Sequence, residues 1–493
     1  MIIRYINTKY DIISAKENQA TPEAAFGFQA LLTSKQTAKQ TGSTEGASLR
    51  VYNQAEENQA TPEAAFGFEG GTMKIRTREM PYDKVLALPR SLHEKPRKQS
   101  VVFRMLMKVL SFFDLLRIGF EYQKIGMEKL APGQPCLILM NHSCFLDLEM
   151  IADLFYDRSY QIICTLDGFV GKKWLMRMLG CIPTKKFISD PVLVRDMVYA
   201  VRTLKSSIVM YPEASYSFDG TATALPDSIG KCIKLLQVPV IMVCSYGAFL
   251  RNPLYNNLQV RKVKVSAKVE YLFSPEDIKN KSAQELKEIL DEHFSFDHFR
   301  WQQENQVRIT EKFRADSLNR VLYKCPNCLT EGKMAGEGIY LTCGRCHKKY
   351  ELTEYGFMKA VEGETEIPHI PDWYRWEREC VKKELQDGTY RLERQVDIYM
   401  MVDSSAVYKV GEGILQHTGE GFHLTGCDGK LNYTQTPESS YSLYSDFYWY
   451  EIGDVICIGD AATQYYCFPK GTGDIVAKTR LAAEELYKLT KAV

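Results

Sequence analysis

Two Cys-x-x-Cys pairs, CPNC at 325–328 and CGRC at 343–346, limit this chain's folding more sharply than any other feature. Four thiolates at such spacing meet the tetrahedral preference of zinc and leave no open position. The pattern therefore predicts a structural zinc on Cys325, Cys328, Cys343 and Cys346. The intervening GKMAGEGIYLT suits a hairpin, with Gly336 and Gly338 at its turn. His347, next to Cys346, is an outside candidate ligand, expected to face solvent. Four free thiols would instead crowd reactive sulfur into one hairpin.

The remaining ten of the 14 cysteines stand singly, several inside apolar runs such as those around Cys136, Cys164, Cys244 and Cys457. That usage fits buried thiols in a reducing, cytoplasmic setting. A net charge of +1 gives no global reason to expect nucleic acid as a partner. The opening MIIRYINTKYDIIS lacks the pattern of a secretory signal. The longest uncharged apolar stretch, 235–250, contains Gln237 and Pro239 and is too short to span a bilayer. It reads as a buried strand with its flanks.

Five regions follow from texture. Residues 1–72 carry ENQATPEAAFGF twice, at 17–28 and 57–68, in polar surroundings, and are expected to be a disordered extension. Residues 73–122 join the basic PRSLHEKPRKQ to VVFRMLMKVLSFFDLLRIGF, an amphipathic helix fit either for a membrane surface or for packing on the core. Residues 123–320 form an α/β domain in which CLILM, YQIICT, SIVMYP, VPVIMV and VKVSAKVEYLF read as strands. DPVLVRDMVYAVRTLKSS reads as a helix capped by Asp190, with Pro191 in its first turn. Alternation of this kind predicts a mostly parallel sheet flanked by helices. Residues 321–355 hold the cysteine pairs and constitute a zinc ribbon. In 366–493, WYRWERE suggests a helix with Trp373 and Trp376 turned to the core. About seven short β segments and the closing helix GDIVAKTRLAAEELYKLTKAV then predict a small barrel or sandwich. That last arrangement is similar, at fold level, to pleckstrin-homology or GRAM modules.

In CLILMNHSCFLDLEM (136–150) a strand delivers His142 to the sheet's carboxyl edge, with Asp147 five residues on. An aspartate accepting the Nδ1 proton would leave Nε2 free to take a proton from a hydroxyl. A structural hydrogen bond is the plain alternative. NHSCFLD resembles the N-H-x-x-x-x-D block of the glycerolipid acyltransferases, the lysophosphatidic acid (1-acyl-sn-glycerol-3-phosphate) acyltransferase family. Further blocks follow in the family's order: GCIPTKK at 180–186, YPEASYS at 211–217 against F-P-E-G-T-R-S, and VPVIMV at 238–243.

The resemblance, over roughly residues 100 to 275, implies catalytic roles for His142 and Asp147 and substrate contacts from Lys185, Lys186, Glu213, Ser215 and Tyr216. It implies an acyl-CoA or acyl-carrier-protein donor, a lysophospholipid acceptor such as 1-acyl-glycerol-3-phosphate, and a peripheral or monotopic place at the inner face of the membrane. One departure stands out: the third block's glycine, threonine and arginine are Ala214, Ser215 and Tyr216. A tyrosine cannot make a charged, bidentate clamp. The rival expectation is therefore a catalytically weak lipid-binding or regulatory protein on the same fold.

Overall fold

The strand–helix alternation of residues 134–275 becomes one seven-stranded sheet in the computed structural model, which describes residues 74–90, 92–187, 190–471 and 473–492. The short strand β1 (Thr77–Glu79) lies outside it. Its members are β2 (Glu121–Ile125), β3 (Leu137–Met140), β4 (Tyr160–Thr165), β5 (Cys181–Thr184), β6 (Ser207–Met210), β7 (Val240–Tyr246) and β8 (Ser266–Phe273), in the order β2-β8-β7-β3-β6-β4-β5. The α/β architecture is present, and the sheet is mixed. β8 runs antiparallel to β7 and carries β2 alongside it in parallel, while β7, β3, β6, β4 and β5 all run the same way.

Every residue of β3 is buried, as a strand covered on both faces requires. The Pro191–Arg202 helix lays Met197, Ala200 and Val201 against the sheet. Its Asp190 side chain accepts from the Val192 and Leu193 amides, a cap whose removal would cost about 1 kcal/mol. β2 is exposed along most of its length, so its residues carry no apolar alternation that would mark a strand.

The Val101–Arg117 helix buries only a narrow stripe, Met107, Ser111 and Leu115. The stripe packs on the Leu146–Leu154 helix, and Lys108 pairs with Asp153 there. Val102, Phe113 and Leu116 are 75%, 63% and 66% exposed, and Trp174, edge-on to Phe103 of the same helix, 57%. No helix among the described residues is long and apolar enough to cross a membrane.

Beyond the α/β sheet, β9 (Met334–Glu337), β10 (Tyr340–Cys343), β11 (Lys349–Leu352) and β12 (Met358–Ala360) form a small antiparallel sheet. Gly338 turns the β9–β10 hairpin at φ +66°, whereas Gly336 sits inside β9, where a Cβ would lie 2.4 Å from the Ala315 carbonyl oxygen. The 17-residue helix Ile370–Gln386 buries Trp373, whose Nε1 donates to the Lys324 carbonyl at 3.0 Å.

A further sheet comprises β13 (Leu392–Met401), β14 (Val407–Thr418), β15 (Gly421–Gly426), β16 (Leu431–Gln435), β17 (Tyr444–Trp449), β18 (Gly453–Gly459) and β19 (Gln464–Pro469). Its order is β16-β15-β14-β13-β19-β18-β17, with β1 joining β14, and the Val476–Ala492 helix follows. VYKV (407–410) and GILQHT (413–418) belong to one continuous strand, β14. Gly411 continues β14 opposite Ile398, and the register shifts at Val410, before Lys409 pairs with Tyr399. One apolar cluster runs through Phe249, Leu341, Trp373, Ile398 and Leu481, so the α/β, cysteine-bearing and C-terminal regions share a core. Residues from Lys74 onward accordingly form a single compact unit. The duplicated segment of residues 1–72 lies outside the described residues.

Candidate active site

Parallel strands β3, β5, β6 and β7 all end at the same edge of the sheet, and the motif residues leave from those ends. Asn141, fully buried, extends the β3–β7 pairing with its side chain. Its Oδ1 accepts from the Ser245 amide at 2.7 Å and its Nδ2 donates to the Ser245 carbonyl at 3.1 Å. The exit of β3 is thereby fixed just before His142.

His142 is gripped through its backbone by the segment after β6. Its N–H donates to Glu213 Oε1 at 3.1 Å, and its carbonyl accepts from the Ser217 amide at 3.1 Å. Its Nδ1 lies 2.9 Å from Asp147 Oδ2. That oxygen also accepts from the Ser143 and Cys144 amides at 2.7 and 3.1 Å. Asp147 is wholly buried in the first turn of the Leu146–Leu154 helix, where an anion suits the helix dipole. An acceptor-only carboxylate fixes the proton on Nδ1 and leaves the Nε2 lone pair available. Burial holds the imidazole pKa below its ordinary value, Asp147 pulls it upward, and the Lys186 charge adds to the lowering. Two tyrosine rings lie against the imidazole, Tyr211 stacked at 4.0 Å and Tyr216 tilted at 4.3 Å.

Glu213 spends both oxygens on the protein, Oε1 on His142 and Oε2 on the Thr223 amide at 3.0 Å. Burial pushes its carboxyl up to about 7 against those bonds and the Arg480 charge. Ala214 has φ +56°, a left-handed conformation that costs a non-glycine residue about 1 kcal/mol. Ser215 is buried and accepts from Arg480 Nη2 at 3.0 Å, a partner from the C-terminal helix.

The two lysines after β5 diverge. Lys186 sits 4.2 Å over the Tyr444 ring, and burial lowers its pKa while Asp446 and Asp167 raise it. Lys185 instead donates to the Ala461 carbonyl and lines a cavity of about 260 Å³ with His93, Asp196 and Arg90. His142, Asp147, Lys186, Glu213, Ser215 and Tyr216 thus gather around one strand edge, and Lys185 faces another cavity.

Sequence reasoning missed Asn141, Tyr211, the His93–Asp196 pair and Arg480. The first two lie in the quoted motifs, and only their partners across the sheet give them meaning. The others join segments far apart in the chain, and nothing local announces them.

The four sulfurs of Cys325, Cys328, Cys343 and Cys346 lie within 4.8 Å of one another, and the Cys325–Cys346 and Cys328–Cys343 separations are both 3.7 Å. A tetrahedron with Zn–S bonds of about 2.3 Å has edges of about 3.8 Å, so this cluster could hold a metal such as zinc. His347 is exposed at φ +61°.

Residues 121–246 match the family model described as Acyltransferase. Among solved structures, the crystal structure of the 1-acyl-sn-glycerophosphate (LPA) acyltransferase PlsC from Thermotoga maritima is similar at 16% identity and a TM-score of 0.32, over 42% of this chain and 80% of that chain. No curated protein matches. The stretch that matches the acyltransferase model, residues 121–246, is the one that holds His142, Asp147 and Glu213.

Proposed function

We propose that the chain moves a fatty acyl group from an acyl-CoA or acyl-carrier-protein thioester to the hydroxyl of a lysophospholipid such as 1-acyl-glycerol-3-phosphate. The observation that carries this reading is the 2.9 Å bond from His142 Nδ1 to a buried aspartate already fixed by two backbone amides. His142 Nε2 takes the hydroxyl proton as the oxygen attacks the thioester carbonyl. The C–S bond then breaks, and the departing thiolate recovers that proton from the imidazolium. The thioester is already activated, so positioning and proton transfer suffice. Incubating the purified full chain with labelled donor and a panel of lysolipids tests it, and transfer to none of them would sink it.

The outward apolar face of Val101–Arg117 supports a place at a lipid surface, with the exposed Arg97 and Lys98 ahead of it favouring anionic headgroups. The helix leans on the Leu146–Leu154 helix that bears Asp147, so a bilayer bound to its outer face would lie on the side of the reacting groups. Phe113→Ser with Leu116→Ser should weaken co-sedimentation with anionic vesicles, and undiminished binding would remove the surface role. The cysteine cluster would hold zinc as a crosslink between its two Cys-x-x-Cys turns. Metal analysis of the purified chain, with and without Cys343→Ser, checks that.

A second reading, a lipid-binding or regulatory protein with weak turnover, draws on Tyr216. Its ring lies 4.3 Å from the imidazole at a tilt of 51°, and its position carries no cation.

A further inference from the structure

Behind Ser215 lies a cavity of about 180 Å³, bounded by the 218–224 segment and by the Ile370–Gln386 and Val476–Ala492 helices. Arg375, Arg378, Arg480 and Lys488 line it, together with Asp219 and Glu484. Most of these charges are already committed. Arg378 donates to Glu484 and Glu485 at 2.7 and 2.9 Å, and Lys488 pairs with Glu485 at 2.7 Å. Asp219 receives the Thr221 hydroxyl and amide.

Arg480 differs. It is 2% exposed, its Nε donates to Glu484 at 3.2 Å and its Nη2 to Ser215 at 3.0 Å, yet its buried Nη1 has no partner. A buried donor left unpaired costs about 1–3 kcal/mol and is an unfilled place for an acceptor. The Arg480 Cζ lies over the Phe218 ring at 4.5 Å from its centroid, within cation–π distance. The cavity also touches the reacting centre through one carboxylate, since Glu213 accepts from Thr223 on its wall and from His142 on the other side.

We propose that this cavity is a phosphomonoester site in which Arg480, brought by the C-terminal helix, supplies the cation that the YPEASYS segment lacks. Resting on the acyl-transfer reading, the ligand is the phosphate of the acceptor lipid. The C-terminal region then completes the acceptor site of the α/β domain, because no residue of 211–217 carries a positive charge.

Inorganic phosphate titrated into the full chain by calorimetry should bind saturably, and Arg480→Gln should weaken that binding about tenfold. Arg375→Gln, at the exposed rim, should weaken it by about twofold to threefold without disturbing the buried pairs, and so reads the site even if the Arg480 variant fails to fold. In acyl transfer, Arg480→Gln should lower the preference for 1-acyl-glycerol-3-phosphate over phosphate-free 1-acylglycerol about tenfold, with the loss in KM. Phosphate should inhibit competitively with the phosphorylated acceptor. No saturable phosphate binding, an equal loss with both acceptors, or non-competitive inhibition would each overturn the assignment. Transfer to neither acceptor by the unmodified chain would strike the acyl-transfer reading, and the phosphate titration would still judge the anion site separately.

Discussion

His142 and His93 each meet an aspartate at 2.9 Å, but the two regions hold those pairs very differently. His142 presents Nδ1 to a carboxylate that is fully buried and bonded to two backbone amides, and both of its own backbone groups are anchored in the segment after β6. His93 reaches from the basic stretch ahead of the first long helix, turns Nε2 toward both oxygens of Asp196, and leaves its side chain 44% exposed. Although Asp196 is buried, a pair whose imidazole is so exposed contributes about 1 kcal/mol or less and tolerates many geometries. The separation alone therefore says little. What distinguishes the pairs is which nitrogen remains free and how many independent bonds prevent the ring from turning.

Replacing each histidine separates the two regions most sharply. His142→Ala should lower kcat/KM for acyl transfer by about 10³-fold or more, and His93→Ala should leave it within about twofold. A comparable loss at both positions would mean that geometry at His142 is not special. The unmodified rate should also fall on acidification with a midpoint below the free imidazole value, because burial lowers the His142 pKa and only the neutral ring accepts a proton.

The aspartates come next. Asp147→Ala should cost about 10²-fold in kcat, and its two amides lose their acceptor, so unfolding by urea should ease by about 1–3 kcal/mol. Asp196→Ala should leave activity near normal and change stability by less than about 1 kcal/mol.

Glu149, two residues beyond Asp147, shows what a carboxylate costs in the same helix without such partners. Burial first, then the neighbouring Asp114 charge, push its carboxyl up to about 7, and its Oε2 has no hydrogen bond. The folded chain thus binds this proton more tightly than the unfolded chain. The associated stability is complete below the unfolded carboxyl range and is lost as pH rises through about 7. Glu149→Gln should therefore flatten the loss of stability between pH 5 and pH 8 by about 2 kcal/mol, measured by denaturant unfolding at each pH. An unchanged pH slope would place that proton elsewhere.

These contrasts also explain what the sequence disclosed. CLILM announced β3 because all four strand positions are buried and apolar, and His142–Asp147 was legible because both partners lie within one loop and helical turn. The cysteine cluster was legible for the same reason, two local turns closing on each other. β2 was illegible because an exposed edge strand keeps polar side chains. Glu213 looked like a substrate contact, while in the fold both its oxygens hold backbone amides, one of them 71 residues back along the chain. Arg480 was beyond reach, since its meeting with Ser215 spans 265 residues and depends on how the last helix packs. Local periodicity reports which face of an element is buried, and says nothing of which distant side chain arrives there.

Tyr216 offers the finest test of the contrast, because among the described residues no aromatic ring packs on His93, while two lie within 4.3 Å of His142. If Tyr216 serves as a wall, it pins the imidazole against Tyr211 and keeps Nε2 aimed. Tyr216→Ala should then lower kcat about fivefold, near the 1 kcal/mol expected from one lost ring contact, while Tyr216→Phe keeps the ring and should stay within about twofold. If Tyr216 is instead a cover, truncating it opens the imidazole to acceptor, and turnover rises. A rise would favour the weak-turnover reading for the unmodified chain. A fall shared by Tyr211→Ala would favour two rings acting together as a vice on a working base.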